Sequence, residues 1–241
     1  MKPEFNKISD YLISYYKITD ETPFLIKEIE PTDLLLPSRF DLGAKLYYID
    51  SYVKKKNHVL AAALYDNHIA AFQDGIIEEH GNREKKGFET YHSVLEELVN
   101  RFLSNEYNSQ EKLIPVDKNM CLLDGAHRVA CSIYFNKKIS VIIFPTIEGY
   151  NYDREFFYKR GLEQGYSDIM EYILYSYGTD ISGRFSNVDE ARALLKIDQK
   201  EQVQKIEISP KEKRRCKRIR FFRNRYTRMV IWIKKRLGLP V

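Results

Sequence analysis

Cysteine is scarce in this 241-residue chain. The three present, Cys121, Cys131 and Cys216, are odd in number and lack CxxC spacing, which argues against a disulfide framework and against a thiolate zinc site. Long apolar runs are missing too. None approaches the ~18 residues of a membrane span, and the opening MKPEFNKISDYLISYYKITDE has acids where a signal peptide has an apolar core. A reducing cytoplasm is the expected location. No internal repeat is present, and no glycine-rich loop has the two glycines and lysine of a P-loop.

What is there is a globular composition. Hydrophobic residues make up 44% of the chain, with 18 Tyr and 13 Phe among them, which excludes global disorder. The net charge of +5 hides a division. Residues 211–236 hold 13 of the 39 basic residues and one of the 34 acids, leaving 26 bases against 33 acids elsewhere. The body is therefore acidic and only the tail basic, so a polyanionic partner is expected for the tail alone.

Periodicity divides the chain into short elements. Phe5, Ile8, Leu12 and Tyr15 or Tyr16 recur at helical spacing over 4–18, and PFLIKEIEP reads as a strand closed by Pro31. Helices are predicted from Leu42 to about Lys55, over HVLAAALYDNHIAAFQ, and over FETYHSVLEELVNRFL with Phe88, Tyr91, Leu95, Leu98 and Phe102 on one face. The intervening DGIIEEHGNREKKG, polar and punctuated by glycine, reads as a loop. From Lys112 to Phe144 the order is strand (KLIPVD), strand (MCLLD), helix (AHRVACSIYF), strand (ISVIIF). Residues 153–177 read as two short helices, Val188–Leu195 as another, EQVQKIEISPKEK as a linker and the basic tail as one helix.

The segment LLDGAHRVACSIYF carries the chemistry. A tight turn entering a helix leaves the first backbone N–H groups without intrahelical partners, and with the helix dipole they form an anion site. Gly125 lets an oxygen-rich ligand approach the main chain, Ala126 adds an amide, and His127 and Arg128 place side-chain donors in the same turn. Asp124 would cap the helix or hold a phosphate-bound Mg²⁺. The plain alternative is an ordinary Asp-Gly turn with His127 on the surface and Arg128 paired to a nearby acid.

This segment resembles the signature turn of the ParB/sulfiredoxin-like superfamily, Gly-x-x-Arg or Asp-Gly-His-His-Arg at a helix start after a short strand. The likeness covers residues 112–144 and extends more loosely back to Phe24. It implies an α+β fold with a small mixed sheet surrounded by helices, and a turn that binds nucleotide phosphates through Gly125, Ala126, His127 and Arg128. Members include sulfiredoxins, CTP-using partition proteins, and free serine kinases that use ADP. Ala126 stands where sulfiredoxins carry their reactive cysteine, and Val129-Ala130-Cys131 follows where partition proteins have a second arginine. Kinase-type phosphoryl transfer with ATP or ADP, or CTP, and Mg²⁺ is the nearest reading. The expected layout is a nucleotide-binding domain over 1–150 with a helical insertion at about 42–110, a helical extension over 151–200, and a linker and tail over 201–241.

Such a kinase needs a carboxylate beside the accepting hydroxyl. The resemblance points to the loop LLLPSRFDLGAK, with Asp41 as base and Arg39 for phosphate charge; Asp41 as the cap of the helix at Leu42 is the alternative. Asp124 and His127 would join them at the reacting phosphate. Glu78 or Glu79, in a loop composed like a lid, is the other candidate base. On a helix, residues 214–237 align Ile219, Phe222, Tyr226, Met229, Val230, Ile233 and Leu237 beside Trp232 and many Lys and Arg, the pattern of a helix lying in an anionic membrane interface. Membrane is preferred to nucleic acid as the tail's partner because the acidic body would repel a long polyanion. RFDL, LDGAHRVA and FFYKRGL also resemble segments of ParB-like proteins found with surface-polysaccharide biosynthesis. The expected function is a kinase for a polyol, sugar or lipid-linked glycan on the inner face of the membrane. The alternative is a non-catalytic regulator of ParB type that binds nucleotide or nucleic acid.

Overall fold

The computed structural model describes residues 2–79 and 82–178. The expectations for Val188–Leu195, for the linker and for the basic tail lie outside the described residues. The fold is α+β. A three-stranded sheet of order β1-β5-β4 is built from β1 (Leu25–Ile29), β4 (Ile114–Asp117) and β5 (Ile139–Phe144), with β1 antiparallel and β4 parallel to the central strand. The helices are α1 (Asp10–Tyr15), α2 (Leu42–Lys54), α3 (His58–Phe72), α4 (Gly87–Leu103), α5 (Ala126–Tyr134), α6 (Arg154–Lys159) and α7 (Gln164–Ser176).

The central strand shows how sequence becomes layers. ISVIIF is apolar at nearly every position because both its faces are covered. Side chains alternate across a strand, so Ile139, Val141 and Ile143 face the core made with α2, α3, α4 and α5, while Ile142 and Phe144 face a second cluster with Phe5, Ile8, Leu12 and Ile18. The N-terminal segment is thus the sheet's cover. It forms as a short 3₁₀ turn, Pro3–Lys7, then α1, rather than one helix over 4–18, because Ser9 breaks it: its hydroxyl accepts the Leu12 amide and caps α1.

Along α4 the buried side is Tyr91, Leu95, Val99 and Phe102, with Phe88 and Leu98 partly buried at its border. The polar stretch before it is a hairpin and not a loop: β2 (Glu78–Glu79) pairs antiparallel with β3 (Asn82–Lys86), and Lys86 Nζ lies 3.2 Å from Glu78 Oε1. Charges of opposite sign facing each other across the ladder give a polar hairpin what composition did not reveal. MCLLD, expected as a strand, makes only an isolated bridge, Leu122 opposite Val116.

Gly43 sets how α2 meets α7. A Cβ there would lie 2.6 Å from the Met170 carbonyl oxygen, so the two helices touch through backbone. Gly43→Ala is expected to lower stability by about 1–3 kcal/mol through overpacking, against a helix-propensity gain of up to ~1 kcal/mol. Urea unfolding checks it: the midpoint falls with the slope unchanged. Among the described residues, no helix is long and apolar enough to cross a membrane.

Candidate functional site

The corner at Gly125 is assembled by a carboxylate nine residues upstream of the first residue of α5. Asp117, buried at the end of β4, accepts the amides of Asn119 and Cys121 on Oδ1, both at 2.8 Å, and that of Gly149 on Oδ2 at 2.9 Å. These bonds reverse the chain, so that Leu123 N donates to Pro115 O at 2.9 Å and Asp124-Gly125 arrives beside the start of β4. Gly125 then adopts φ +89° and opens α5. A Cβ at that position would meet the side-chain ends of Arg128 (Nη2, 2.7 Å) and Ile114 (Cδ1, 2.9 Å) and push them aside, and the positive φ itself favours glycine.

The side chains of the corner point differently from the expected phosphate grip. The Arg128 fork, expected to face two phosphate oxygens, lies back over Gly125: Nη1 donates to the carbonyls of Lys112 (3.1 Å) and Leu113 (3.2 Å), and Nη2 sits 3.9 Å from Asp124 Oδ2. The cause is local. The open carbonyls before β4 need donors, and the missing Cβ at Gly125 lets the guanidinium lie flat there. His127 Nε2 shares a 2.6 Å hydrogen bond with the hydroxyl of Tyr65 on α3. Asp124 Oδ1 accepts Gly125 N at 2.6 Å. What the corner directs beyond itself is the helix start: Val129 N is the first amide to bond back within α5, to Gly125 O at 3.0 Å, and the amides of Ala126, His127 and Arg128 precede it.

Arg39 and Asp41 stand in a different setting, inside the protein. Arg39 forms a bidentate pair with Asp41, Nε to Oδ1 and Nη2 to Oδ2, each 2.8 Å, while Nη1 donates to Leu122 O at 2.6 Å. Lys45, one turn along α2, donates to Asp41 Oδ2 at 2.8 Å and lies 3.3 Å from His68 Nε2. Because an ammonium only donates, that nitrogen accepts, so the His68 hydrogen sits on Nδ1 and is given to Tyr65 O at 3.3 Å. Arg39, Asp41, Lys45 and His68 are 4%, 1%, 5% and 0% exposed. Asp41 occupies the N-cap position of α2, yet its carboxylate makes no cap bond.

Electrostatics follow from this packing. Burial alone would raise the Asp41 carboxyl, but the charges of Arg39 and Lys45 and the Arg39 hydrogen bonds hold it well below the ordinary range. Burial, reinforced by Lys45, keeps His68 neutral far below its usual range. A carboxylate so stabilised and so enclosed is a poor proton acceptor and has no route to an acceptor hydroxyl. In this geometry Asp41 with Arg39 is the anchor of the loop, where the sequence led us to expect the base.

The two candidate regions nevertheless belong to one construction. The Arg39 bond to Leu122 O fixes the backbone two residues before Asp124, and the chain Asp41–Lys45–His68–Tyr65–His127 runs from the loop to the first turn of α5. Sequence reasoning missed Lys45 and Tyr65; the i, i+4 spacing of Asp41 and Lys45 was the available signal. Glu78, the other candidate base, is half-exposed and paired with Lys86 across the hairpin, and the side chain of Glu79 lies outside the described residues. Cys121 and Cys131 are buried, and burial raises both thiols.

The Asp124 side chain is 43% exposed, with Oδ2 3.9 Å from Arg128 Nη2, and a magnesium ion bound through phosphates takes one or two carboxylates. Among the described residues no group of three His, Cys, Asp or Glu is placed to hold a resident ion. Comparison with protein-family models, with curated proteins and with solved structures finds no match to this chain.

Proposed function

We propose that the chain is a nucleotide-dependent phosphotransferase of ParB/sulfiredoxin-like type, acting on a hydroxyl of a small polyol, sugar or lipid-linked glycan. The observation that carries this reading is the Gly125 corner, where a glycine at positive φ opens a helix whose first three amides precede any intrahelical bond. Those amides and the helix dipole would hold the donor's phosphates, as in other helix-terminal phosphate sites. Arg128 would keep the corner's shape through the Lys112 and Leu113 carbonyls and add positive charge beside it. Asp124 would hold Mg²⁺ together with the phosphates, the ion supplying charge neutralisation for the transferring group.

In this reading residues 1–150 form the nucleotide-binding domain, 151–200 its helical extension, and the basic tail docks on anionic lipid at the inner face of the membrane. Flotation with phosphatidylserine vesicles, lost on deleting 211–241, is the expected result for the tail; salt-sensitive binding to RNA or DNA instead would move the protein toward the nucleic-acid class. A non-catalytic, nucleotide-binding regulator is favoured by one observation, the enclosure of Asp41, which removes the base that the resemblance in sequence suggested. Nucleotide binding without turnover would select it.

The test of the phosphate site is calorimetric titration of wild type and Arg128→Ala with ATP, ADP and CTP in magnesium. Loss of a charge-assisted contact and of the corner's buttress should weaken binding by about tenfold or more in a variant shown to be folded by circular dichroism. Unchanged affinity would remove the site from the corner.

A further inference from the structure

Away from the α5 corner, a cleft of about 240 Å³ lies between the turn that leaves α4 and the turn that joins α5 to β5. Lys137 and Lys138 stand on one side, Asn105, Asn108 and Ser109 on the other. Among the described residues no Asp or Glu lines it, although the body of the chain carries an excess of acid. We infer that this cleft is an anion site for a small, free phosphate monoester. It is separate from the corner, since α5 is nine residues, about 13 Å, long and the cleft lies beyond its far end. The site is independent of the phosphotransferase reading.

The polar groups of the cleft are turned so as to donate. Asn105 Oδ1 accepts Lys137 Nζ at 3.3 Å, and Asn108 Oδ1 accepts the Gln110 amide at 2.9 Å. Each carboxamide thus spends its oxygen within the protein, and its NH₂ has no partner among the described residues. The Ser109 hydroxyl is unpaired among them as well. Two NH₂ groups, a hydroxyl and two ammoniums meet a ligand that is all acceptor on its charged end, and a phosphate monoester brings three such oxygens with up to two negative charges. A carboxylate, with two oxygens and one charge, would use fewer of these donors.

The walls are held in place without a ligand. Phe102, 5% exposed, is the floor and stacks on Tyr107 and Phe135 with ring centroids 4.0 and 5.4 Å away. The Asn105–Lys137 bond ties the end of α4 to the turn after α5. Carbonyls at the two helix ends would repel an anion, but they are taken up: Arg101 O accepts Glu106 N, Phe102 O accepts Asn105 N, Ser132 O accepts Lys137 N and Ile133 O accepts Asn136 N. The acid that reaches Lys138 is Glu30, 3.4 Å from Nζ, with the two side chains 61% and 52% exposed. An ion pair so open to water is weak and yields to a dianion seated in the cleft.

The experiment titrates the ¹⁵N-labelled full chain with glycerol 3-phosphate, with inorganic phosphate and with glycerol as the uncharged counterpart, following backbone and Asn side-chain resonances. Both phosphates should give saturable shifts at the Asn105 and Asn108 NH₂ groups and at the Lys137 and Lys138 amides, and glycerol should give none. Lys138→Gln should weaken glycerol 3-phosphate binding by about tenfold or more, while Lys137→Arg, which keeps the charge, should hold affinity within about threefold. A soluble short-chain phosphatidic acid distinguishes a lipid headgroup from a free ester: it should bind no more tightly than glycerol 3-phosphate, and binding about tenfold tighter would overturn the free-ester assignment. Absence of saturable shifts at the cleft with either phosphate, or affinity unchanged in the double variant Lys137→Gln with Lys138→Gln, would overturn the site. Shifts confined to Ala126, His127 and Arg128 would remove the cleft and leave the phosphotransferase reading standing, whereas shifts confined to the cleft would support it and count against the corner.

Discussion

Asp41→Ala is expected to destabilise the chain by about 3–5 kcal/mol, because it leaves Arg39 and Lys45 buried without the carboxylate they share. That is a large part of the ~5–15 kcal/mol that holds a typical domain together. Asp41→Asn should lose nearly as much, since one amide oxygen cannot accept the bidentate guanidinium and the ammonium together. Replacing Arg39, Asp41 and Lys45 jointly by Met, Leu and Met should cost markedly less than either single change, as the burial penalty of all three charges then disappears. Denaturant unfolding of the four proteins measures the pattern. A loss below ~1 kcal/mol for Asp41→Ala would return this residue to the candidate catalytic groups.

The same cluster gives stability a defined acid side. Asp41 has a folded-state pKa depressed by its cations, so its contribution is complete above the ordinary carboxylate range near 3.9 and erodes as pH falls below it. His68 is also depressed, by burial and by Lys45, so the unfolded chain takes up a proton below about 6.5 that the folded chain refuses. Its contribution is whole above that pH and declines by ~1.4 kcal/mol per unit below it. Denaturant midpoints should therefore fall between pH 7 and 5, and His68→Gln should flatten the fall by one proton's slope.

Gly125→Ala is the second large effect, expected at about 2–5 kcal/mol. A residue with a Cβ at φ +89° carries ~1–2 kcal/mol of conformational strain, and the added carbon must displace Arg128 Nη2 and Ile114 Cδ1 from 2.7 and 2.9 Å. Moving the guanidinium also frees the Lys112 and Leu113 carbonyls, which couples the turn to the start of β4. The variant should unfold at lower denaturant and lose phosphate affinity together. Stability within ~0.5 kcal/mol of wild type would mean that the corner relaxes readily and is not a rigid support for α5.

What could be read in the letters depended on whether the determinant was local. The apolar run of ISVIIF, the Tyr91-Leu95-Phe102 face and the Asp-Gly before Ala126 gave β5, α4 and the opening of α5, because burial period and turn chemistry act over a few residues. The hairpin of Glu78 to Lys86 was missed because cross-strand charge pairing replaces the alternation by which strands are recognised. Orientations were less legible still. His127 turns to Tyr65, 62 residues earlier, and Arg128 turns to carbonyls 15 and 16 residues earlier, choices made by tertiary neighbours. Asp41 illustrates the limit most clearly. As a loop acid beside an arginine it reads equally as a base or as an anchor, and only the ammonium of Lys45 and the enclosure of all three decide between them.

Phosphate binding on the amides that open α5 is tested most directly by titrating ¹⁵N-labelled protein with magnesium and ATP, ADP or CTP while following backbone amide shifts. Saturable shifts are expected, largest at Ala126, His127 and Arg128, with Gly125 following as its bond to Asp124 adjusts. Saturation by nucleotide that leaves those amides in place, or no saturable binding by any of the three, would contradict it.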